Sequence, residues 1–355
     1  MKLFENLKVV EFASVLAGPL VGSFFAELGA EVIKIENSKT EGDVTRKWKL
    51  PSEDSLSSFS AYYASANYGK SSIFLDLTHE SDYQIVCDMV KSADIVLVNF
   101  KPGDAVKLKL DFSTLLALNP TIIYAELTGF GSEDARSAFD VVLQAETGYM
   151  SMNGEKDSKP LKMPLAFIDI LAAHQLKEGI LCALIQRQQT MVGRKVSVSL
   201  YDAAISSLAN QASNYLMTHS IPKRMGSEHP NIAPYGDLLQ TADGAWFVLA
   251  IGTDRQFMDF CTVLNLSNLH NSDKFKTNSA RVIHRQELII LISASLIHKN
   301  AEELEGMLKS KNIPYGRVLN MDEVFDNKQA QRLIIEDEID GMKARRVKTV
   351  VFNLD

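Results

Sequence analysis

The sequence predicts an α/β protein, with a large domain built on a parallel sheet covered by helices and a smaller α+β domain after it. Three observations point there. Short Val- and Ile-rich runs alternate with helical patterns from Lys8 to Met217. A stretch punctuated by proline and glycine follows near His219, and beyond it an Asp-Gly turn signal stands between two β-rich runs.

Taken in order, Lys8 to Phe12 is the first β-rich run; the loop Ala13 to Pro19 leads into an apolar helix, Leu20 to Leu28, stopped by Gly29. Glu31 to Ile35 is the second strand, ends at Glu36 and closes a β-α-β unit. Strands at Ser72 to Leu77, Ile95 to Asn99 and Ile122 to Leu127 then alternate with helices at Ser81 to Ser92 and Ser113 to Leu118. Leu165 to Ile168 reads as a strand-like run closed by Asp169, after which Ile170 to Arg187 is a long helix. Lys195 to Ser199 supplies another strand and Ala203 to Met217 another helix.

The segment SIPKRMGSEHPNIAPYGD holds three of the ten prolines, with Gly226 and Gly236, and marks a linker or a long loop. Gly236 to Ile251 reads as a hairpin around Asp243-Gly244, and helices follow at Arg255 to Leu264, His284 to His298 and Ala301 to Ser310. The large domain is therefore expected at 1–220 and the small one at 225–320. Residues 320–355, with a helix and a β-rich run from Arg345 to Phe352, return to the large domain.

Composition narrows the function classes. The chain has 355 residues, 46% hydrophobic and 23% charged, enough for two cores. A net charge of -7 without a basic stripe argues against a nucleic-acid binder. Cys87, Cys182 and Cys261 lie far apart among apolar neighbours, which suits buried reduced thiols rather than disulfides or a metal site. No window approaches the ~20 apolar residues of a membrane span, and MKLFENLKVVEF has no apolar signal core. A cytoplasmic protein acting on small molecules, with no metal and no membrane or nucleic-acid partner, is expected.

Two places carry candidate chemistry. The first loop is Rossmann-like in plan, but it offers only Gly18 and Gly22, with Pro19 between them, where a dinucleotide fingerprint needs three spaced glycines. Glu36 stands where a ribose-binding acid would. Asp169 opens a helix, where backbone N–H groups and the positive end of the dipole favour an anion. Such a carboxylate is either a helix cap or a positioned nucleophile.

The chain is at this point similar to a known family. AGPLVGSFFAELGAEVIKIE, then Gly42-Asp43-Val44-Thr45-Arg46, Asn67-Tyr68-Gly69-Lys70 and Asn99-Phe100-Lys101-Pro102-Gly103 resemble the class III CoA-transferases. Thr128-Gly129-Phe130-Gly131, DVVLQAETGYMSMNG, GRKVSVSLYDAA, HPNIAPYGD, ADGAW and IPYGRV continue the resemblance in family order over residues 3 to 335. It implies a Rossmann-like large domain, an interlocked homodimer and coenzyme A or acyl-CoA as substrate. It places the catalytic aspartate at Asp169, with Gly179-Ile180-Leu181-Cys182-Ala183-Leu184 and Arg187 at the family's distance. An aspartyl anhydride and then an aspartyl-CoA thioester would carry the CoA to an acceptor acid. It further implies CoA contacts at Leu16, Ala17, Lys39, Lys70, Lys101 and Lys107, with Asp140 and Gln144 lining the site.

The departures shape the expected substrate. The racemases of this family carry a histidine before the residue matching Asp140, where this chain has Phe139; that disfavours the alternative of an acyl-CoA racemase, which needs a second base. Ser14 replaces an arginine common in relatives, and Leu16 a glutamine of formyl-CoA transferase. An acyl group less polar than formate or oxalate, facing Leu16 and Phe139, is expected. Ala173 and His174 follow Asp169 where the family has a glycine; His174 reads as structural and His229, in the Pro/Gly loop, as the stronger histidine candidate. Ser14, Thr128 and a short segment after Phe352 leave a non-catalytic acyl-CoA-binding relative as the third reading.

Overall fold

Six parallel strands frame the larger of two units in the computed structural model, which describes residues 2–354. This unit takes in residues up to 149, 162–221 and those from 328 onward. Its elements run β1 (Lys8–Glu11), α1 (Ala17–Glu27), β2 (Glu31–Asn37), α2 (Ala61–Ala66), β3 (Lys70–Leu75), α3 (Glu80–Ser92) and β4 (Ile95–Val98). They continue with α4 (Asp104–Lys107), α5 (Phe112–Leu118), β5 (Ile123–Thr128), α6 (Asp140–Glu146), then, past α7 (Tyr149–Met152) at the boundary with the smaller unit, α8 (Phe167–Thr190), β6 (Arg194–Ser199), α9 (Leu200–Ser206) and α10 (Ala209–Thr218).

The strand order β3-β2-β1-β4-β5-β6 reverses between β1 and β4, so a crevice opens at the carboxyl ends of those two strands. Central β4, Ile95-Val96-Leu97-Val98, is buried at every residue because helices cover both faces. On one face Val21 and Phe24 of α1, with Leu28 just past its end, share a core with Ile168, Ala172, Leu176 and Ile180 of α8. On the other, Val86 and Val90 of α3 and Leu115 of α5 pack on Val10, Val96 and Tyr124. Each large apolar side chain buried this way contributes about 1.5–3 kcal/mol before the cost of ordering it. The long α8 is thereby fixed against the sheet along its apolar side.

Three expectations need correction. The helix expected from Ala203 to Met217 is two, α9 and α10. The hydroxyls of Ser206 and Ser207 both bond to the Ala203 carbonyl, at 3.1 and 2.8 Å, where the backbone ladder would otherwise run on. The strand expected from Arg345 to Phe352 is instead the second half of a hairpin, β10 (Ile334–Ile339) and β11 (Met342–Val347). Its turn is Asp340-Gly341, both at positive φ, and past Val347 the Glu27 carboxylate holds the N–H groups of Thr349 and Val350. Of the cysteines, Cys87 and Cys261 are buried but Cys182 is exposed.

The smaller unit comprises residues 150–161 and 222–327. The antiparallel strands β7 (Tyr235–Gln240), β8 (Trp246–Ala250) and β9 (Tyr315–Arg317) form its sheet, with the Asp243-Gly244 turn between the first two. Helices at Asp254–Val263, Arg285–Leu296 and Ala301–Ser310 close a core of Phe247, Phe257, Phe260, Leu288, Ile292 and Leu304. No helix among the described residues is long and apolar enough to cross a membrane.

Candidate active site

The loop between β1 and α1 is held by more bonds than its length requires. Val15 sits at φ 73°, a left-handed conformation that a β-branched residue resists. Its N–H donates to the Asp43 carboxylate at 3.1 and 3.3 Å. Asn99, at the end of β4, clamps Ser14 from both sides: its amide donates to the Ser14 carbonyl at 2.9 Å and its oxygen accepts the Ser14 N–H at 3.1 Å. Lys34 donates to the Ala13 carbonyl at 2.6 Å.

Beneath the loop lies a buried charge cluster. Glu11 accepts from Lys34 at 3.1 Å and from Lys70 at 2.9 Å, and Lys34 also pairs with Asp43 at 3.2 Å. Burial works against the Lys34 charge, but Glu11, Asp43 and Glu36 outweigh it and hold its pKa above the ordinary lysine value. Lys70 is pushed down to about 7, chiefly by burial. Two cations and two anions thus balance inside the unit, which ties the first loop to β1, β2 and β3.

Two positions singled out in the sequence are enclosed here. Lys70, expected at the CoA, has its ammonium surrounded by Glu11, the Pro19 carbonyl and Asn67 at 2.8–3.0 Å. Glu36 is no ribose acid, because Arg46, the Asp43 N–H and the Tyr63 hydroxyl occupy its oxygens at 2.6–2.8 Å. Burial opposes the Glu36 charge, but Arg46 and the Asp43 N–H hold its pKa down at about 2. Neither burial pattern is written in a local run of sequence, since each depends on partners from other strands.

Asp169 is the third residue of α8, not its cap. The strand expected at Leu165 to Ile168 is absent, because the helix begins at Phe167, with Ala166 as a cap that makes no side-chain bond. The capping is supplied from another helix. Asp140, the first residue of α6, accepts the Ile168 N–H at 2.8 Å, and Gln144 on the next turn donates to Asp140 and accepts the Met163 N–H at 2.8 Å. Asp140 and Gln144 therefore hold the segment that presents Asp169.

Asp169 is 8% exposed, and its carboxylate accepts no hydrogen bond among the described residues. Burial, and then the charge on Asp140, raise its pKa to about 7. The helix terminus favours the anion, but desolvation is the larger effect, so the group is not held fully ionised at neutral pH as the sequence suggested. Tyr62, which sequence reasoning missed, stands near it. Burial and the charges of Asp169, Asp140 and Asp43 push its phenol up to about 12, which keeps the hydroxyl a proton donor.

Two cavities share the first loop as a wall. One, of about 720 Å³, lies in the crevice at the carboxyl ends of the strands and is lined by Ser14, Asp43, Lys39, Lys47 and Lys101. Lys39 there bonds to Asp76 and Thr78, both at 2.8 Å. The other, of about 450 Å³, is lined by Leu16, Tyr62, Leu165, Ile170, Ala173 and His174. Of the remaining expected residues, Ala17 is buried in the core, though its N–H belongs to the unbonded first turn of α1. Lys107 is exposed, pairs with Asp104 at 2.8 Å and lies outside the lining of either cavity.

Phe139 is 52% exposed and lines neither cavity. His229 packs edge-on against Tyr235 in the smaller unit, with ring centroids 5.1 Å apart, whereas His174, on the helix that carries Asp169, lines the 450 Å³ cavity.

A buried acid on the helix that walls an apolar cavity, with a lysine-rimmed crevice across the first loop, would suit several acyl-transfer chemistries, and comparison with known proteins narrows them. The model of CoA-transferase family III matches residues 4–355. A succinate–glutarate CoA-transferase of Agrobacterium fabrum is 36% identical over 357 residues, 98% of this chain and 88% of that protein. A succinyl-CoA:glutarate CoA-transferase of Homo sapiens is 31% identical, over 93% of this chain and 74% of that protein. The crystal structure of a CAIB/BAIF family protein from Brucella suis matches with a TM-score of 0.86 at 37% identity, covering 98% of this chain and 92% of that one. Matched over nearly its whole length by the family model, and in three dimensions by a solved relative, the chain belongs to CoA-transferase family III.

Proposed function

We propose that the protein moves CoA from an acyl-CoA donor to a carboxylic acid acceptor with Asp169 as nucleophile. The observation that carries this reading is the state of Asp169: buried, without a hydrogen-bond donor, with a pKa near 7, on the helix that walls the apolar cavity. A desolvated carboxylate is a stronger nucleophile than a hydrated one. Its oxygen attacks the thioester carbonyl, the C–S bond breaks, and a mixed anhydride and a CoA thiolate result. The thiolate attacks the aspartyl carbonyl and releases the donor acid, leaving an aspartyl-CoA thioester. The acceptor carboxylate then attacks that thioester to give a second anhydride. The thiolate finally attacks the acceptor acyl carbonyl, which forms the new acyl-CoA and restores Asp169. No net proton is gained or lost.

CoA would lie in the crevice at the sheet's carboxyl ends, with Lys39, Lys47 and Lys101 toward its phosphates and its pantetheine crossing the first loop to Asp169. Lys107 joins them only by moving away from Asp104. Exposed apolar residues at the end of α10 and after it, among them Leu216, Met217 and Ile221, support a homodimer, interlocked as in the family resemblance. Incubation with an acyl-CoA panel, then hydroxylamine and mass measurement of the Asp169 peptide, is expected to give a hydroxamate that Asp169→Ala lacks. No adduct with any thioester would sink the mechanism.

A further inference from the structure

One residue of the first loop holds a conformation that it resists, and the side chains before and after it face different cavities. Val15 lies at φ 73°. A Cβ makes the left-handed region unfavourable by a factor of about 5 to 30, and a β-branched residue is a rare occupant of it. Something has to hold it there. The Val15 N–H donates to the Asp43 carboxylate at 3.1 and 3.3 Å. A hydrogen bond to a charged acceptor favours the bonded conformer by a factor of about 10 to 150, enough to outweigh the strain.

Asp43 is itself immobilised. It is 5% exposed, and both of its oxygens are engaged within the chain. One accepts from the Thr45 N–H and hydroxyl, at 3.0 and 2.8 Å, and the other pairs with Lys34 at 3.2 Å. Its own N–H donates to Glu36 at 2.7 Å. The carboxylate therefore supports the loop rather than a ligand.

The strained turn sends the chain from one cavity to the other. In an extended chain residues two apart share a face, so a continuation of β1 would carry Ser14 and Leu16 to the same side. Instead Ser14 lines the lysine-rimmed crevice and Leu16 the apolar cavity, with Val15 between them. Tyr62 marks how thin this partition is. It lines the apolar cavity, yet its phenol feels the charge of Asp43, which lines the crevice, as well as that of Asp169. At an ordinary negative φ, Val15 would turn Leu16 off the cavity wall.

We propose that Asp43 is a positioning residue: by holding Val15 left-handed, it keeps Leu16 in the wall of the apolar cavity and fixes the partition across which a thioester in the crevice reaches Asp169. The catalytic part rests on Asp169 as the nucleophile; the conformational part does not.

Crystal structures of the full-length protein carrying Asp43→Ala, alone and with Val15→Gly, test the conformational part. With the acceptor gone, Val15 is expected at negative φ, with Leu16 off the cavity wall. Val15 still near φ 73° overturns the proposal. The catalytic part is read as the rate of hydroxamate formation at Asp169, with the acyl-CoA that labels the unmodified protein fastest. Asp43→Ala is expected to lower the saturating rate about 5- to 30-fold, the bias against the left-handed conformer, and to leave the half-saturating concentration within about threefold. Glycine takes positive φ about as readily as negative, so about half of the molecules keep the productive loop unaided. In a chain that also carries Val15→Gly, Asp43→Ala is therefore expected to lower the rate only about twofold. An equal loss in both backgrounds means that Asp43 supports the fold alone, and overturns the proposal. Should Asp43→Ala not fold, Asp43→Asn, which keeps the shape with a weaker neutral acceptor, is read by the same pair of rates: a loss that shrinks with Val15→Gly supports the proposal and an equal loss refutes it. If the unmodified protein gives no hydroxamate, the nucleophile reading fails and the structures still decide. A hydroxamate together with equal losses would refute Asp43 alone.

Discussion

Gly18 offers a way to move the first loop without touching a charge. An alanine there would put its Cβ 2.4 Å from the Cβ of Ala13. Carbon–carbon contact is comfortable at about 3.5–4.0 Å, so the overlap is about 1.1–1.6 Å and something has to shift. Ala13 is buried and its carbonyl is held by Lys34, the next residue is clamped by Asn99, and Val15 is tied to Asp43. The loop therefore moves by breaking one of those bonds, or α1 tilts away from it. Overpacking of this kind costs about 1–3 kcal/mol of stability. The catalytic cost is larger, because a misplacement of about 1 Å lowers rates by about 100-fold. Gly18→Ala is expected to unfold at moderately lower urea and to lose about two orders of magnitude in kcat. CoA-transfer assays and urea titrations on the same preparation check both. A variant that keeps wild-type kcat despite the lost stability would refute the idea that this loop positions the thioester.

Further outcomes follow from single groups. Gly306 lies inside a helix with no atom near its missing Cβ, so Gly306→Ala is expected to gain about 0.8–1 kcal/mol in urea unfolding with no change in kcat. Asp140→Asn keeps an acceptor for the Ile168 N–H but removes the charge that raises the Asp169 pKa, so the acidic limb of kcat/KM is expected at lower pH; an unmoved limb would contradict that coupling. The folded protein holds the Asp169 proton more tightly than the unfolded chain, so the residue costs stability as pH rises through about 7. Asp169→Asn is therefore expected to gain about 2–4 kcal/mol at pH 8 and almost nothing below pH ~4, read by urea unfolding at both. Glu36 has the opposite sign, its pKa lowered to about 2. Its stabilisation is present above the unfolded value and lost as pH falls through about 2, and Glu36→Gln is expected to cost about 3–5 kcal/mol at pH 7.

The sheet was legible because its signal is local. Val9-Val10, Val32-Ile33 and Ile95 to Val98 are β-rich runs bounded by loops, and burial on both faces leaves them no polar alternation to confuse the reading. The hairpin at β10 and β11 was missed although its Asp340-Gly341 turn carries the signal that located Asp243-Gly244. Ile334 to Ile339 is half acidic, so its apolar positions read as a solvated segment until α2 is there to cover Ile339 and Ala344. The strand expected before Asp169 fails for a related reason. Pro164-Leu165-Ala166 is apolar like a strand, yet it bends before the helix, and the ladder a strand would need is replaced by Gln144, whose side chain binds Met163.

The site was legible in its nucleophile and illegible in its supports. Asp169 could be placed from motif spacing, but what shifts its pKa is burial under neighbouring elements and the charge of Asp140, and no run of sequence records either. Lysines show the same limit from the other side. Lys34, Lys70, Lys101 and Lys177 look alike in sequence, and lysine is by default exposed. In the fold two of them neutralise Glu11, one rims the crevice, and one lines the apolar cavity. What separates a structural lysine from a ligand-binding one here is whether an acid is within reach. That depends on which strands and helices the topology brings together.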